Sequence, residues 1–86
     1  MKDIIISENK TKYGKYWLFS DKETGDVILE VDRKKEWDGY IIYSDTLEIC
    51  RRKKKETAFN WARKYVRTLF PDAKFMYNAV TYIHFN

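Results

Sequence analysis

Residues 56–69, ETAFNWARKYVRTL, space their apolar side chains as an α-helix does. These side chains recur every three or four residues and so share one face, which comprises Ala58, Trp61, Ala62, Tyr65, Val66 and Leu69. The polar face comprises Glu56, Asn60, Arg63, Lys64 and Arg67. Pro71 ends the helix, because proline cannot continue it. We therefore predict one amphipathic helix with Trp61 and Tyr65 buried against the rest of the chain.

The chain before this helix has the pattern of β-strands. Short apolar or aromatic segments occupy residues 3–7, 16–20, 27–32 and 40–50. In the third segment Val27, Leu29 and Val31 share one face, which we expect to meet the helix, while Glu30 and Asp32 share the wet face. Residues 8–15 indicate a polar turn. Residues 21–26 and 33–39 indicate hairpin turns, the second ending in Asp-Gly.

The chain after the helix contains a last group of apolar residues. They are Phe75, Tyr77, Val80, Tyr82, Ile83 and Phe85, and they predict one or two final strands. The predicted fold class is therefore α+β. A small antiparallel sheet of three to five strands, with β-hairpins first, packs on one helix in the C-terminal half, and the final strands follow. Eighty-six residues predict a single domain, 1–86.

The composition restricts the class of protein. Hydrophobic residues make up 44% of the chain and aromatic residues 17%, enough for a dense core in a small domain. Cys50 is the only cysteine, which excludes an intrachain disulfide and a cysteine-based zinc site and favours a reducing compartment. The chain has no apolar stretch of the length that a signal peptide or membrane span needs. We expect a soluble, cytoplasmic protein.

Residues for standard catalysis are few. His84 is the only histidine, and its place in a final strand is typical of an edge residue. The three glycines are isolated, so there is no phosphate-binding glycine loop. Asp21, Glu23 and Asp26 miss the spacing of a calcium loop, whose glycine would stand one position later. We therefore expect no catalytic residue, metal site or cofactor, and interpret the chain as a non-enzymatic binding protein.

The positive charge is concentrated in residues 51–67. This segment holds one acid, Glu56, and eight cations: Arg51, Arg52, Lys53, Lys54, Lys55, Arg63, Lys64 and Arg67. The whole chain carries only +4. The first five cations lie where we expect the helix to begin, a position that favours capping oxygens and acids, and each costs about a few tenths of a kcal/mol there. A bound anion would offset this cost, because helix N–H groups and Lys or Arg side chains would all point at it.

Three functions compete to explain these eight cations. The first is binding of nucleic acid through its phosphates, with little reading of sequence. The alternative is an inhibitor or adaptor that docks on an acidic protein surface, such as a phage or mobile-element protein acting on a host defence protein. An enzyme of a type that the sequence does not reveal ranks third. A solvated charge run that serves only solubility would require no partner at all.

One resemblance bears on the first of these functions. Three strands followed by a helix that starts Lys54-Lys-Glu-Thr-Ala58 resemble, in order, the DNA-binding domains at the amino end of some tyrosine integrases. The resemblance implies DNA binding. The acidic strand face with Glu30 and Asp32 departs from it, because a sheet that contacts nucleic acid needs cations and aromatic residues there.

Overall fold

The computed structural model describes residues 1–78 and the backbone of residues 81–82, and within them the chain forms seven strands and one helix. The strands before the helix are β1 (Asp3–Thr11), β2 (Gly14–Asp21), β3 (Val27–Lys34), β4 (Gly39–Ser44) and β5 (Leu47–Arg52). The helix α1 (Lys55–Leu69) is followed by β6 (Lys74–Tyr77) and β7 (Thr81–Tyr82). Of the residues expected in the final strands, Val80, Ile83, His84 and Phe85 lie outside the described part.

All strands belong to one sheet with the order β5-β4-β3-β2-β1-β6, and β7 also pairs with β1. Four successive antiparallel hairpins join β1 to β5, whereas β6 and β7 lie parallel to β1. The chain leaves the sheet at β5 and returns at β6, so α1 is the connection between opposite edges and packs on one face. The predicted fold class is confirmed. Within the described residues no helix is long and apolar enough to cross a bilayer.

The buried face of α1 differs from the predicted one. Ala58, Phe59, Ala62 and Val66 are buried, and the ring of Phe59 lies 5.4 Å from that of Trp17 and 5.7 Å from that of Phe19. Trp61 and Tyr65 are only half-buried and stack on each other on the flank of the helix, 5.5 Å apart. Leu69 is 52% exposed. The prediction of buried Trp61 and Tyr65 is wrong, because the helix turns Phe59 toward the aromatic rings of β2.

The faces of β3 differ from the predicted ones, because the strand contains a β-bulge. Leu29 and Val31 are buried as expected, but Val27 is 54% exposed. The register shifts between Phe19 and Ser20, so that Phe19 pairs with Leu29 whereas Ser20 pairs with Val27. The extra residue in β3 breaks the alternation and places Val27 on the face away from the helix.

The hairpin turns are shorter than predicted. β1 and β2 continue through most of residues 8–15, leaving only Lys12 and Tyr13 between them, and β3 continues to Lys34. The segment 40–50 divides into β4 and β5 at Asp45 and Thr46, whose φ angles of 50° and 68° suit a tight hairpin turn. These longer strands carry charged residues to the end of the sheet.

The corrected helix face leads to a stability prediction. Phe59→Ala should lower the free energy of unfolding by about 3–5 kcal/mol, because it removes a buried ring from the contact between α1 and β2. Trp61→Ala should cost clearly less, since Trp61 is half-buried on the flank. Urea unfolding followed by circular dichroism measures both values. A larger loss of stability for Trp61→Ala than for Phe59→Ala would support the buried helix face predicted from the sequence.

Candidate anion-binding surface

Three segments that are distant in sequence meet at one end of the sheet. Thr11 pairs with Gly14, Lys34 with Gly39 and Tyr40 with Arg52, so β1, β3 and β5 all finish at this end and α1 begins there. We call residues 10–15, 33–38 and 51–55 together the basic end. They contain eleven lysines and arginines and only two carboxylates. The hairpin register thus builds a positive surface larger than the segment seen in the sequence.

The opposite end of the sheet has the reverse sign. The turn between β2 and β3 and the turn between β4 and β5 both lie there, and they hold Asp21, Glu23, Asp26 and Asp45 with a single lysine, Lys22. The modest net charge of the chain therefore conceals a separation of charge along the strands. A field of this kind orients and attracts an approaching anion toward the basic end.

The N-terminus of α1 is uncapped. Its N-cap residue is Lys54, which makes no capping hydrogen bond through its side chain. The first intrahelical bond runs from the N–H of Ala58 to the carbonyl of Lys54 at 3.0 Å, so the N–H groups of Lys55, Glu56 and Thr57 have no intrahelical partner. Lysine cannot cap, because its side chain has no acceptor oxygen. The helix thus directs free donors and the positive end of its dipole toward the basic end.

A groove of about 580 Å³ lies beside this helix start. We call it the cationic groove; its walls include Trp17 and Tyr40, and its charged lining is Lys10, Lys15, Arg33, Lys35 and Lys55. Aspartate and glutamate are absent from the described lining, and residues 79–86 contain neither. Lys10 and Lys15 are cross-strand neighbours in the β1–β2 hairpin. Five cations around one concave surface suit an anion with several oxygens.

Three of the five cations in this groove are uncompensated within the described residues. Arg33 is paired, because its Nη2 donates to Asp38 Oδ1 at 2.7 Å. Lys15, Lys35 and Lys55 make no ion pair with any described residue. The ammonium of Lys55 lies 5.0 Å from the ring centroid of Trp17. A cation held over an aromatic ring keeps hydrogen-bond donors for a ligand.

The structure corrects the expected location of Arg51 and Arg52, which belong to β5 and not to the helix start. Arg51 is bound to Glu48, with Nε 2.6 Å from Oε2, and this bond lowers the pKa of Glu48. Its guanidinium also lies 5.4 Å from the ring of Trp37. Arg52 is half-buried and donates through Nη1 to the carbonyl of Arg51 at 2.7 Å. Both contribute charge to the basic end, with Arg51 already paired.

Lys53 and Lys54 form the connection between β5 and α1. The ammonium of Lys53 lies 4.4 Å from the ring centroid of Trp37 and donates to the carbonyl of the same residue. Trp37 in turn covers Gly39, where a Cβ would lie 2.6 Å from the indole. Lys53 therefore supports the β3–β4 turn, while Lys54 is exposed.

The three remaining predicted cations lie along the helix. Arg63 donates to Asn60 Oδ1 at 3.1 Å and to the hydroxyl of Tyr77. Arg67 lies 4.9 Å from the ring of Phe75, so both arginines follow the seam between α1 and β6. Lys64 is exposed. Of the eight predicted cations, Lys55 and Arg63 both line a second cleft, of about 460 Å³, whose lining also includes Glu8 and Glu56.

Sequence reasoning missed four of the five charged groove residues, namely Lys10, Lys15, Arg33 and Lys35. Their segments have the sequence pattern of turns, in which charged residues are ordinary. One sequence signal could have found them. In successive antiparallel hairpins the first and third turns lie at the same end of the sheet, so the positive charges of these two turns add.

Comparisons with models of known protein families, with curated proteins and with solved structures found no match. The resemblance to the tyrosine-integrase domains gains no support from them.

The uncapped helix start leads to a second stability prediction. Lys54→Ser should raise the free energy of unfolding by about 1 kcal/mol, because serine caps the free N–H groups and removes a charge from the positive end of the dipole. Lys64→Ser is the matched control, which should lower stability by about 0.5 kcal/mol, since serine is a poorer helix former in an exposed interior position. Denaturant unfolding compares the two variants. Equal changes in the free energy of unfolding for the two variants would show that a capping side chain does not stabilise the N-terminus of α1.

Proposed function

We propose that this protein binds nucleic acid through backbone phosphates at the basic end. The observation that carries the proposal is the cationic groove, whose described lining holds five cations and no carboxylate and which lies beside the uncapped start of α1. A phosphate in the groove would accept hydrogen bonds from the free N–H groups and from Lys15, Lys35 and Lys55 together. That arrangement also offsets the unfavourable placement of lysines at a helix start.

The proposal implies weak sequence selectivity. Contacts to phosphate position a nucleic acid but do not distinguish its bases. Glu30 and Asp32 lie on the sheet face that α1 does not cover, and their charges would repel a phosphate backbone. The nucleic acid therefore contacts the end of the sheet and not this face, unlike domains that stack bases on an open sheet.

A second function, docking on an acidic protein surface as an inhibitor or adaptor, is favoured by one observation. β5 is an outer strand of the sheet, and its Leu47 and Ile49 are 69% and 36% exposed next to Arg51 and Arg52. An outer strand with exposed apolar residues can pair with a strand of another protein. The same cations would then attract the partner and increase the association rate.

The salt dependence of binding tests the first proposal. The log of the affinity for a fluorescent 20-nucleotide single strand or duplex should fall with log salt, with a slope of roughly −3 to −5 for four to six phosphate contacts. In the double variant Lys15→Gln/Lys55→Gln the affinity should fall and the slope should flatten by about 1.5–2, because two contacts are lost. Fluorescence anisotropy between 50 and 300 mM salt measures both quantities.

The matched control is Lys22→Gln/Lys74→Gln, which makes the same change in net charge with exposed lysines away from the basic end. It should keep the slope of the unmodified protein. A groove variant that binds as tightly as the control at 50 mM salt would contradict nucleic-acid binding at the groove. If the protein binds an acidic protein, and neither the single strand nor the duplex displaces that protein, the result would favour the second function.

A further inference from the structure

The face of the sheet that α1 does not cover has a second groove, of about 620 Å³. We call it the acidic groove. Cross-strand register places Glu30 between Leu18 and Tyr43, and places Asp32 opposite Tyr16. These five residues line the groove together with Asp45, and no lysine or arginine is part of its described lining. The surface combines two tyrosine rings with two adjacent carboxyl groups, and it lies on the opposite side of the sheet from α1.

The two carboxyl groups lack a sufficient counter-charge. Glu30 and Asp32 are two residues apart on one strand and so stand side by side. Burial, followed by the hydrogen bond and the charge of Asp32, raises the pKa of Glu30 to about 7. Oδ1 of Asp32 is enclosed by the protein and has no hydrogen-bond partner in the described structure, so the charge of the pair is poorly compensated from within. A cation in the groove would favour the ionised form of Glu30.

The charged groups that surround the pair contribute one cation at the rim. Lys34 Nζ lies 3.7 Å from Asp32 Oδ2 and 5.9 Å from the ring centroid of Tyr43. The remaining titratable groups are Tyr16 on β2, whose pKa is raised by burial and by both carboxylates, Asp45 in the turn and Glu48 on β5, which Arg51 already neutralises. Lys34 thus places one ammonium group near both a carboxylate and a tyrosine ring of this surface.

We propose that the acidic groove docks an arginine of a basic segment of a partner protein. Guanidinium fits this lining better than ammonium, because it is planar, stacks on tyrosine rings and donates two parallel hydrogen bonds to carboxylates. The negative charge of the groove favours a basic protein segment over nucleic acid. The inference is independent of the function proposed for the basic end, since the two surfaces share none of their lining residues.

Docking of a cation at this site should depend on pH. A guanidinium binds the ionised carboxyl pair, and the ionised fraction of Glu30 rises as the pH passes through about 7. The affinity should therefore be about tenfold lower at pH 6 than at pH 8, because one proton must leave for each arginine bound. Arg51 stays charged across this range, because its hydrogen bond to Glu48 raises the pKa of its guanidinium.

The experiment uses the full chain and an eight-residue peptide of alternating arginine and alanine, without nucleic acid. Calorimetry at pH 6 and pH 8 gives the affinities, and amide chemical shifts locate the site. Glu30→Gln, which keeps the shape of the side chain, should weaken binding about tenfold at pH 8 and remove the pH dependence. Glu23→Gln, an exposed residue with the same change in charge, should behave as the unmodified protein.

Several results would overturn the proposal. If Glu30→Gln and Glu23→Gln bind the peptide equally, and circular dichroism shows that both variants are folded, the peptide does not bind in the acidic groove. Equal affinity for spermine would make this a general polyamine site and not an arginine site. Self-association that Glu30→Gln abolishes would assign the groove to a second copy of the chain. Unchanged peptide binding by Lys15→Gln/Lys55→Gln is expected, which separates this inference from the nucleic-acid proposal.

Discussion

The contact of Phe59 with Trp17 and Phe19 determines where the helix lies on the sheet. Phe59 is in the second turn of α1, and its ring contacts two neighbouring inward-facing residues of β2. Trp17, Phe19 and Phe59 are all buried in this contact, and aromatic rings of this size each bury a large apolar area. It ties α1, whose backbone lies nearest to β3, β4 and β5, to the aromatic rings of β2. Lys55 is one turn before Phe59 in α1, and its ammonium lies 5.0 Å from the ring centroid of Trp17. The basic end depends on this placement.

The lysines at the start of α1 disfavour the helix locally, but they lie at the same end of the sheet as the lysines of two hairpin turns. A lysine at the N-cap and another at the first helical position disfavour the helix start. The hairpins place further lysines at the same end and most of the turn carboxylates at the other. Because the repulsion is concentrated on one surface, a single polyanion can relieve all of it. A charge run kept only for solubility would not need this convergence.

The sequence was sufficient for the elements whose local pattern is strong. Helical spacing in 56–69 and alternation in 27–32 predicted α1 and β3, and Asp38-Gly39 predicted a hairpin. The buried helix face was ambiguous, because Phe59 and Trp61 flank the same alanine stripe and only the rings of β2 decide between them. No sequence pattern predicts the bulge that turns Val27 outward. None predicts that β1 and β2 extend into the lysine-rich residues 8–15.

The candidate surface was only partly predictable for the same reason. Lys53, Lys54 and Lys55 were identified as cations at the start of a helix. Lys15 and Lys35 belong to the surface only because strand lengths and register bring two turns to the helix start, and both depend on tertiary structure. Arg63 and Arg67 contact aromatic rings of β6, which a helical projection does not show.

If the three segments of the basic end form one surface that binds an anion, a short nucleic-acid strand should affect all three at once. This can be measured by titrating the isotope-labelled protein with a ten-nucleotide thymidine strand and recording amide chemical shifts. We expect residues 10–15, 33–35 and 53–57 to shift together with one dissociation constant, while the acidic turn 21–26 does not shift. Shifts confined to residues 51–55, or equally large shifts at 21–26, would contradict it.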